Sequence, residues 1–390
     1  MSVNYQTYLS ETAQKIQPSG IRKFFDLASS MKGVISLGVG EPDFITPWNI
    51  REATIASMED GYTSYTANAG LLELRQEISA YIDRRFHVHY DPSDQIIVTV
   101  GASQALDLAF RTLLNAGDEV LIVEPAFVSY ASLITMAGGR PIPISTNAEN
   151  GFKVTAEQIE KKVTNNTKAI LLCSPNNPTG TYLNAEELTE IAEVVKRHDL
   201  IVVSDEIYAE LTYDEEYTSI TSVEGMYERT ILINGFSKGF AMTGWRLGFV
   251  AAPSEMTQVM LKLHQFTTMC APHMLQHGAI EALRNSDDVV DKMKSSYRRR
   301  RNYIVQSLNT IGLDCHTPGG AFYVFPSIKG TGLTSEQFAE QLLKQEKVAV
   351  VPGSAFGQCG EGYVRCSYAT SMEQLQEAMK RIQRFVDTLQ

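Results

Sequence analysis

Along this chain, short apolar runs alternate with longer stretches in which apolar residues recur every three or four positions. Six runs stand out: 96–100 (IIVTV), 120–123 (VLIV), 169–173 (AILLC), 200–203 (LIVV), 230–234 (TILIN) and 247–251 (LGFVA). They are short and rich in β-branched residues, which favours buried strands over pieces of helix. Between them lie segments such as 185–198, where Leu188, Ile191, Val194 and Val195 share one helical face. Strands alternating with helices imply a largely parallel sheet covered on both sides. The alternation fades after about residue 282. A charged helix over 287–310 then leads into apolar runs at 321–325, 348–351 and 363–367 and a closing helix. The expectation is an α/β protein with a large domain at 47–282 and a smaller α+β domain at 283–390. The N-terminal segment, 1–46, is expected to pack with the small domain, because chain ends often meet.

Composition narrows the function classes. The 390 residues are 44% hydrophobic and 20% charged, ordinary usage for a globular chain of two or three domains. Acids outnumber bases by 45 to 34, a formal charge of −11. Such a surface repels phosphate backbones and anionic bilayers, so neither nucleic acid nor a membrane is an expected partner. No eighteen-residue apolar run appears, and residues 1–20 have no apolar core of the kind a signal peptide needs. Five cysteines without a CxxC pair argue against a disulfide framework and fit a reducing cytoplasm. No metal is expected. The one notable charge run, Arg298 to Arg301, reads as a solvated face of the 287–310 helix.

Candidate chemistry comes from the residues just past each strand, because ligands of a parallel α/β sheet bind beyond the strands' carboxyl ends. After IIVTV comes Gly101-Ala102-Ser103, a glycine-led helix start whose free N–H groups suit a phosphate. After AILLC comes Ser174-Pro175-Asn176-Asn177-Pro178-Thr179-Gly180, by itself an ordinary turn. After LIVV come Asp205, Glu206, Ile207 and Tyr208; Asp205 reads either as a helix cap or as a buried carboxylate paired with a cation such as a protonated pyridine. After TILIN comes Gly235-Phe236-Ser237-Lys238, with Arg246 further on. A lysine among glycines at a strand end is a candidate nucleophilic amine, since desolvation lowers its pKa.

Six segments in order, SLGVGEPDF (36–44), YTSYTANAGLLELR (62–75), SPNNPTG (174–180), SDEIYAELTYD (204–214), FSKGFAMTGWRLGF (236–249) and YVRCSYA (363–369), resemble the signatures of fold-type I, pyridoxal-phosphate-dependent aminotransferases of class I/II. The resemblance covers nearly the whole chain and implies that family's fold, its cofactor pyridoxal 5′-phosphate, and a ping-pong transfer from an L-amino acid to a 2-oxo acid. It implies Lys238 as the Schiff-base lysine and proton shuttle, and Asp205 as the partner of the pyridine nitrogen. Tyr208 and Asn177 match donors to the phenolic oxygen. Ser237, Arg246 and the Ala102 and Ser103 amides match the phosphate cradle, and Phe127 the ring that stacks on the cofactor. Tyr65 matches a tyrosine that reaches the phosphate of a neighbouring subunit, which implies a homodimer. Arg365 matches the clamp for the substrate α-carboxylate, with Asn177 beside it, and Gly40 a glycine lying against the substrate.

Departures from the family pattern bear on substrate. Relatives that favour dicarboxylic substrates commonly carry a basic residue where Ser103 stands, and often a hydroxyl where Ile21 stands; both departures favour an apolar or aromatic donor over aspartate, with Arg22 a candidate receiver of a distal carboxylate. Gly235 stands where some relatives place a second phosphate-binding serine. The same scaffold also serves lyases and synthases, the alternative reading. A ligand-sensing regulator would add a basic N-terminal DNA-binding domain, for which the signatures starting at residue 36 leave no room. A nicotinamide site at Gly38-Val39-Gly40-Glu41-Pro42-Asp43 lacks its third glycine and has Pro42 where a helix should begin.

Overall fold

The computed structural model describes residues 3–16, 18 and 31–389. Its centre is a seven-stranded sheet built from β2 (Ile96–Thr99), β3 (Glu119–Glu124), β4 (Arg140–Ser145), β5 (Thr167–Cys173), β6 (Ile201–Asp205), β7 (Thr230–Gly235) and β8 (Gly248–Ala251), in the order β2-β8-β7-β6-β5-β3-β4. All six apolar runs are strands of this sheet. Strands β7, β6, β5, β3 and β4 run parallel, while β8 lies antiparallel to both its neighbours, β7 and β2. β4 was not evident from the pattern, because its sequence RPIPIS carries two prolines. Proline has no N–H to donate to a ladder and is tolerated at a sheet's edge, where β4 pairs with β3 alone.

The reversed strand matters for the site. Parallel strands present their carboxyl ends to one edge of the sheet; β8, running the other way, presents its start there. Arg246, two residues before β8, therefore reaches the same edge as Asp205 and Lys238 although no strand precedes it.

Helices cover both faces. The helix Ala185–Arg197 buries Leu188, Ile191, Val194 and Val195. It begins with a capping box: Asn184 accepts from the Glu187 N–H at 3.0 Å, and Glu187 accepts from the Asn184 N–H at 2.9 Å. After the sheet, the helix Asp287–Ile311 leads to β9 (Tyr323–Val324), β10 (Val348–Ala349), β11 (Val351–Pro352) and β12 (Val364–Ser367). β11, β12 and β9 form an antiparallel sheet, and β10 pairs in parallel with β1 (Ile35–Ser36). Chain start and chain end thus share a ladder. Ser367 donates its N–H to the Leu37 carbonyl at 2.6 Å, which brings the adjoining stretch, Gly38 to Glu41, beside Arg365.

The arginine run departs in part from the solvated face expected of it: Arg298 and Arg299 are exposed, but Arg300 and Arg301 are not. Arg301 is 4% exposed and forks onto Asp214, with the Pro318 carbonyl and the Tyr213 ring as further partners. Arg300 pairs with Asp43 at 2.7 Å and lies over the Phe44 and Tyr297 rings; Arg298 pairs with Asp214 at 3.0 Å. Arg300 and Arg301 thus turn inward to two aspartates on the segments that carry site residues. Replacing Arg301 by Met should lower unfolding free energy by about 1–3 kcal/mol, the cost of stranding buried acceptors, with the half-exposed Asp214 limiting the loss. A urea titration measures it, and an unchanged midpoint would place the run back on the surface.

Candidate active site

At the sheet edge where those strand ends meet lies a cavity of about 880 Å³. Every site residue singled out from the sequence lines it except Tyr65, which is 79% exposed. Ile21 and Arg22 lie outside the described residues.

Lys238 comes three residues after β7. Its Nζ donates to the Gly40 carbonyl at 2.6 Å, and among the described residues no carboxylate forms a salt bridge with it. Burial draws its pKa down to about 8; Arg365 and Arg246 push the same way, against Glu41 and Asp205. Asp205 ends β6. Burial raises its pKa, and two hydrogen bonds oppose that: the Tyr130 hydroxyl donates to Oδ2 at 2.6 Å and the Ile207 N–H to Oδ1 at 3.3 Å. Tyr208 shares a hydroxyl–hydroxyl bond of 2.9 Å with Tyr323.

Arg365, on β12, is 3% exposed. Its Nη1 donates to Asn177 Oδ1 at 2.9 Å and its Nη2 to the Gly38 carbonyl at 2.6 Å. Nε has no partner among the described residues, so the buried guanidinium keeps unused donor capacity. The rings of Tyr323 and Phe356 flank it at 4.5 Å and 5.0 Å. At the cavity's other end the helix Ala102–Leu113 starts behind Gly101, at φ 77°, with no side-chain cap, and so leaves its first N–H groups open. A β-carbon on Gly101 would lie 2.8 Å from Arg246 Nη2, which shows how closely the guanidinium is laid against this turn. Ser237 and Ser103 line the same end, and Phe127 the wall between.

Two glycines read differently in three dimensions. A β-carbon on Gly40 would lie 2.6 Å from the Tyr323 hydroxyl, so the protein itself already closes the space beside it. One on Gly235 would lie 2.8 Å from Gly248 Cα; a side chain there requires β7 and β8 to part.

Tyr130, Tyr323 and Glu41 escaped the sequence reading. Tyr130 stands on the first turn of the helix Ser129–Met136, close behind Phe127, a place the rule of strand ends reaches if extended six residues past β3. Tyr323 has no such signal: it joins the site because β9 pairs with β12, setting Tyr323 against the distant Ser367. Glu41 lines the mouth, 3.5 Å from the Thr243 hydroxyl.

A part-buried amine of depressed pKa, a buried carboxylate, an open helix start and a buried guanidinium thus share one cavity at one sheet edge. The model of the family Aminotransferase class I and II matches residues 32–382. A Bacillus subtilis (strain 168) protein named as an aminotransferase, YugH, is 65% identical over 380 residues, 97% of this chain and 98% of that one. The aspartate aminotransferase of Pyrococcus abyssi (strain GE5 / Orsay) is 49% identical, over 96% and 97%. The crystal structure of an aromatic aminotransferase from Pyrococcus horikoshii OT3 superposes with TM-score 0.90 at 46% identity, over 95% and 99%. The chain belongs to the class I and II aminotransferases, with their fold-type I architecture and their cofactor, pyridoxal 5′-phosphate.

The residues present fit that cofactor. The open helix start with Arg246 and Ser237 suits its phosphate, Asp205 suits a protonated ring nitrogen, and Lys238 suits its aldehyde. Tyr130→Phe should raise the Asp205 pKa further, by removing a donor to its charged form, and weaken cofactor retention about fivefold or more. The acid limb of the activity profile should move to higher pH. An unmoved limb with unchanged retention would deny Tyr130 that role.

Proposed function

We propose that this aminotransferase moves the amino group of an L-amino acid to a 2-oxo acid by ping-pong exchange, with Lys238 holding the cofactor covalently and moving the proton. The observation that carries the reading is Lys238 Nζ in the cavity between Asp205 and the Arg365 clamp, its pKa drawn down to about 8. Bound there, pyridoxal phosphate supplies an electrophilic aldehyde and a ring that accepts the electrons of a broken Cα–H bond. Arg365 takes the substrate carboxylate bidentately, a geometry its planar fork suits and its free Nε leaves room for. That contact, with Asn177 steadying the guanidinium, turns Cα–H toward Lys238. Once the substrate's amine has displaced it from the cofactor, uncharged Nζ would take the proton from Cα and, carrying it, serve as the acid of the next step. Asp205, whose charged form the Tyr130 hydroxyl and the Ile207 N–H favour against burial, makes a positive charge favourable at the far end of the ring.

Two features support an apolar or aromatic donor over aspartate. Ser103 offers no cation to a second carboxylate, and Val39, Val128 and Tyr323 furnish apolar wall. The relatives divide on the point, since aspartate and aromatic enzymes both occur among them.

Exposed apolar side chains supporting a homodimer lie at Ile45, Trp48, Ile55, Met58 and Tyr65, and at Phe266 and Met269; the two groups are joined where Asn68 donates to the Met269 carbonyl at 2.9 Å. A neighbour seated there brings Tyr65 toward the other subunit's phosphate end. No helix among the described residues is long and apolar enough to cross a membrane. Five free thiols agree with a reducing cytoplasm.

Mixing holoenzyme with single L-amino acids and monitoring loss of the bound cofactor's visible absorbance tests the half-reaction directly. An apolar or aromatic amino acid should react fastest, and Lys238→Ala should not react at all. Release of ammonia or sulfide, with no dependence on a 2-oxo acid, would instead mark a lyase. Arg365→Lys should raise KM about tenfold to a hundredfold with a smaller change in kcat, as the loss of a bidentate contact implies. An unchanged KM would remove Arg365 from the carboxylate.

A further inference from the structure

Behind the proposed phosphate turn lies a hydrogen-bond chain whose donors and acceptors can be assigned one by one. The Val100 N–H donates to Gln104 Oε1 at 2.6 Å. A backbone N–H can only donate, so the Gln104 amide is fixed with its oxygen toward Val100 and its NH2 pointing away. That NH2 meets the Thr268 hydroxyl at 2.5 Å and His264 Nδ1 at 3.0 Å. Both hydrogens of the amide are then committed, and Nδ1 must accept. His264 therefore carries its proton on Nε2, which has no hydrogen-bond partner among the described residues.

His264 is fully buried on the helix Ser254–Thr267, whose neighbour is the helix of Gln104. The influences on its protonation are burial, which opposes it, and the Asn68 backbone, which favours it; no charged side chain is among them. A proton on Nδ1 would set an imidazolium donor against the amide donor of Gln104. Relief requires the amide to turn over, and that strips Val100 of its acceptor immediately before Gly101-Ala102-Ser103. Nothing else caps this helix start from a side chain.

We propose that neutral His264 is a positioning residue for the cofactor phosphate: through Gln104 it holds the Val100–Ser103 turn, and protonation of the ring releases that turn. The proposal rests on the reading that the cofactor phosphate sits on the Ala102 and Ser103 amides. Its sign is set by burial. The ring's pKa in the folded protein lies below the ordinary imidazole value of about 6.5, so the hold is complete above that pH and is lost as pH falls through the lower, folded value.

The test is the rate at which holoenzyme releases pyridoxal phosphate, read by absorbance between pH 5 and 8, beside release of pyridoxal, which lacks the phosphate. Wild type should release pyridoxal phosphate about fivefold faster at the acid end, the effect of one lost hydrogen bond, and pyridoxal should lack this component. His264→Asn places a carbonyl oxygen at the depth of Nδ1, accepts from Gln104 at any pH, and should flatten the acid rise. Gln104→Glu still accepts from Val100 but now also accepts from a protonated ring, so its acid rise should shrink or reverse even if the His264 variant folds poorly. Profiles of both variants superposing on wild type would overturn the proposal. Arg246→Met separates the two readings: if it leaves pyridoxal phosphate release unchanged, the placement of the phosphate fails, whatever His264 does.

Discussion

A part-buried amine that forms no salt bridge among the described residues is the constraint around which this protein is arranged. Desolvation disfavours the ammonium form of Lys238, which donates to the Gly40 carbonyl. Two arginines, Arg246 and Arg365, add repulsion instead of relief, while Glu41 and Asp205 limit the shift without pairing. The balance leaves an amine whose charged and neutral forms are both accessible near neutral pH, the condition for one group to act as nucleophile, base and acid in turn. Other lysines, such as Lys161, Lys168, Lys196 and Lys344, instead pair with glutamates or aspartates.

Two structural devices create that environment. The first is the polarity of the central sheet. Its parallel strands deliver Asp205, Asn177 and Lys238 to one edge, and the reversal of β8 delivers Arg246 to the same edge from the opposite direction. The second is the ladder between chain start and chain end. Pairing of β1 with β10, and of Ser367 with Leu37, carries Gly38 to Glu41 across the mouth, where their carbonyls hold Arg365 and Lys238. Arg300 and Arg301 tie the helix Asp287–Ile311 to Asp43 and Asp214, on the segments carrying Gly40 and Tyr208. Buried charge in this part of the fold therefore serves to set segment positions.

The net charge of −11 stands in an instructive relation to the site. A phosphate, a carboxylate and a 2-oxo acid are anions, yet they belong in an acidic protein. The contradiction dissolves at the scale of the cavity, where Lys238, Arg246, Arg365 and an uncapped helix start outweigh two carboxylates. Over a surface screened within about 10 Å, net charge governs extended partners such as nucleic acid, while the local donor set governs a small ligand.

Residues adjacent in sequence to a strand end are legible in the chain itself. Asp205, Tyr208, Lys238, Asn177 and the Ala102 turn come directly after apolar runs, and chain direction alone places them together once a parallel sheet is inferred. The family resemblance added Arg365, Gly40, Phe127 and Tyr65 through local motifs. The features that stayed hidden depend on pairings between distant segments. The strand β4 was masked by prolines that only an edge position tolerates. The arginine run read as solvent-facing because its counter-charges, Asp43 and Asp214, lie far away along the chain. Tyr323 and the His264–Gln104 chain exist as contacts only after strand register and helix packing bring their members within hydrogen-bond reach. Sequence by itself determined the period of most elements, the largely parallel character of the sheet and the chemical groups at its strand ends, because these are local. Tertiary structure alone decided which groups lose water, which share a proton and which stand without a partner, because desolvation and hydrogen-bond geometry are properties of the assembled neighbours.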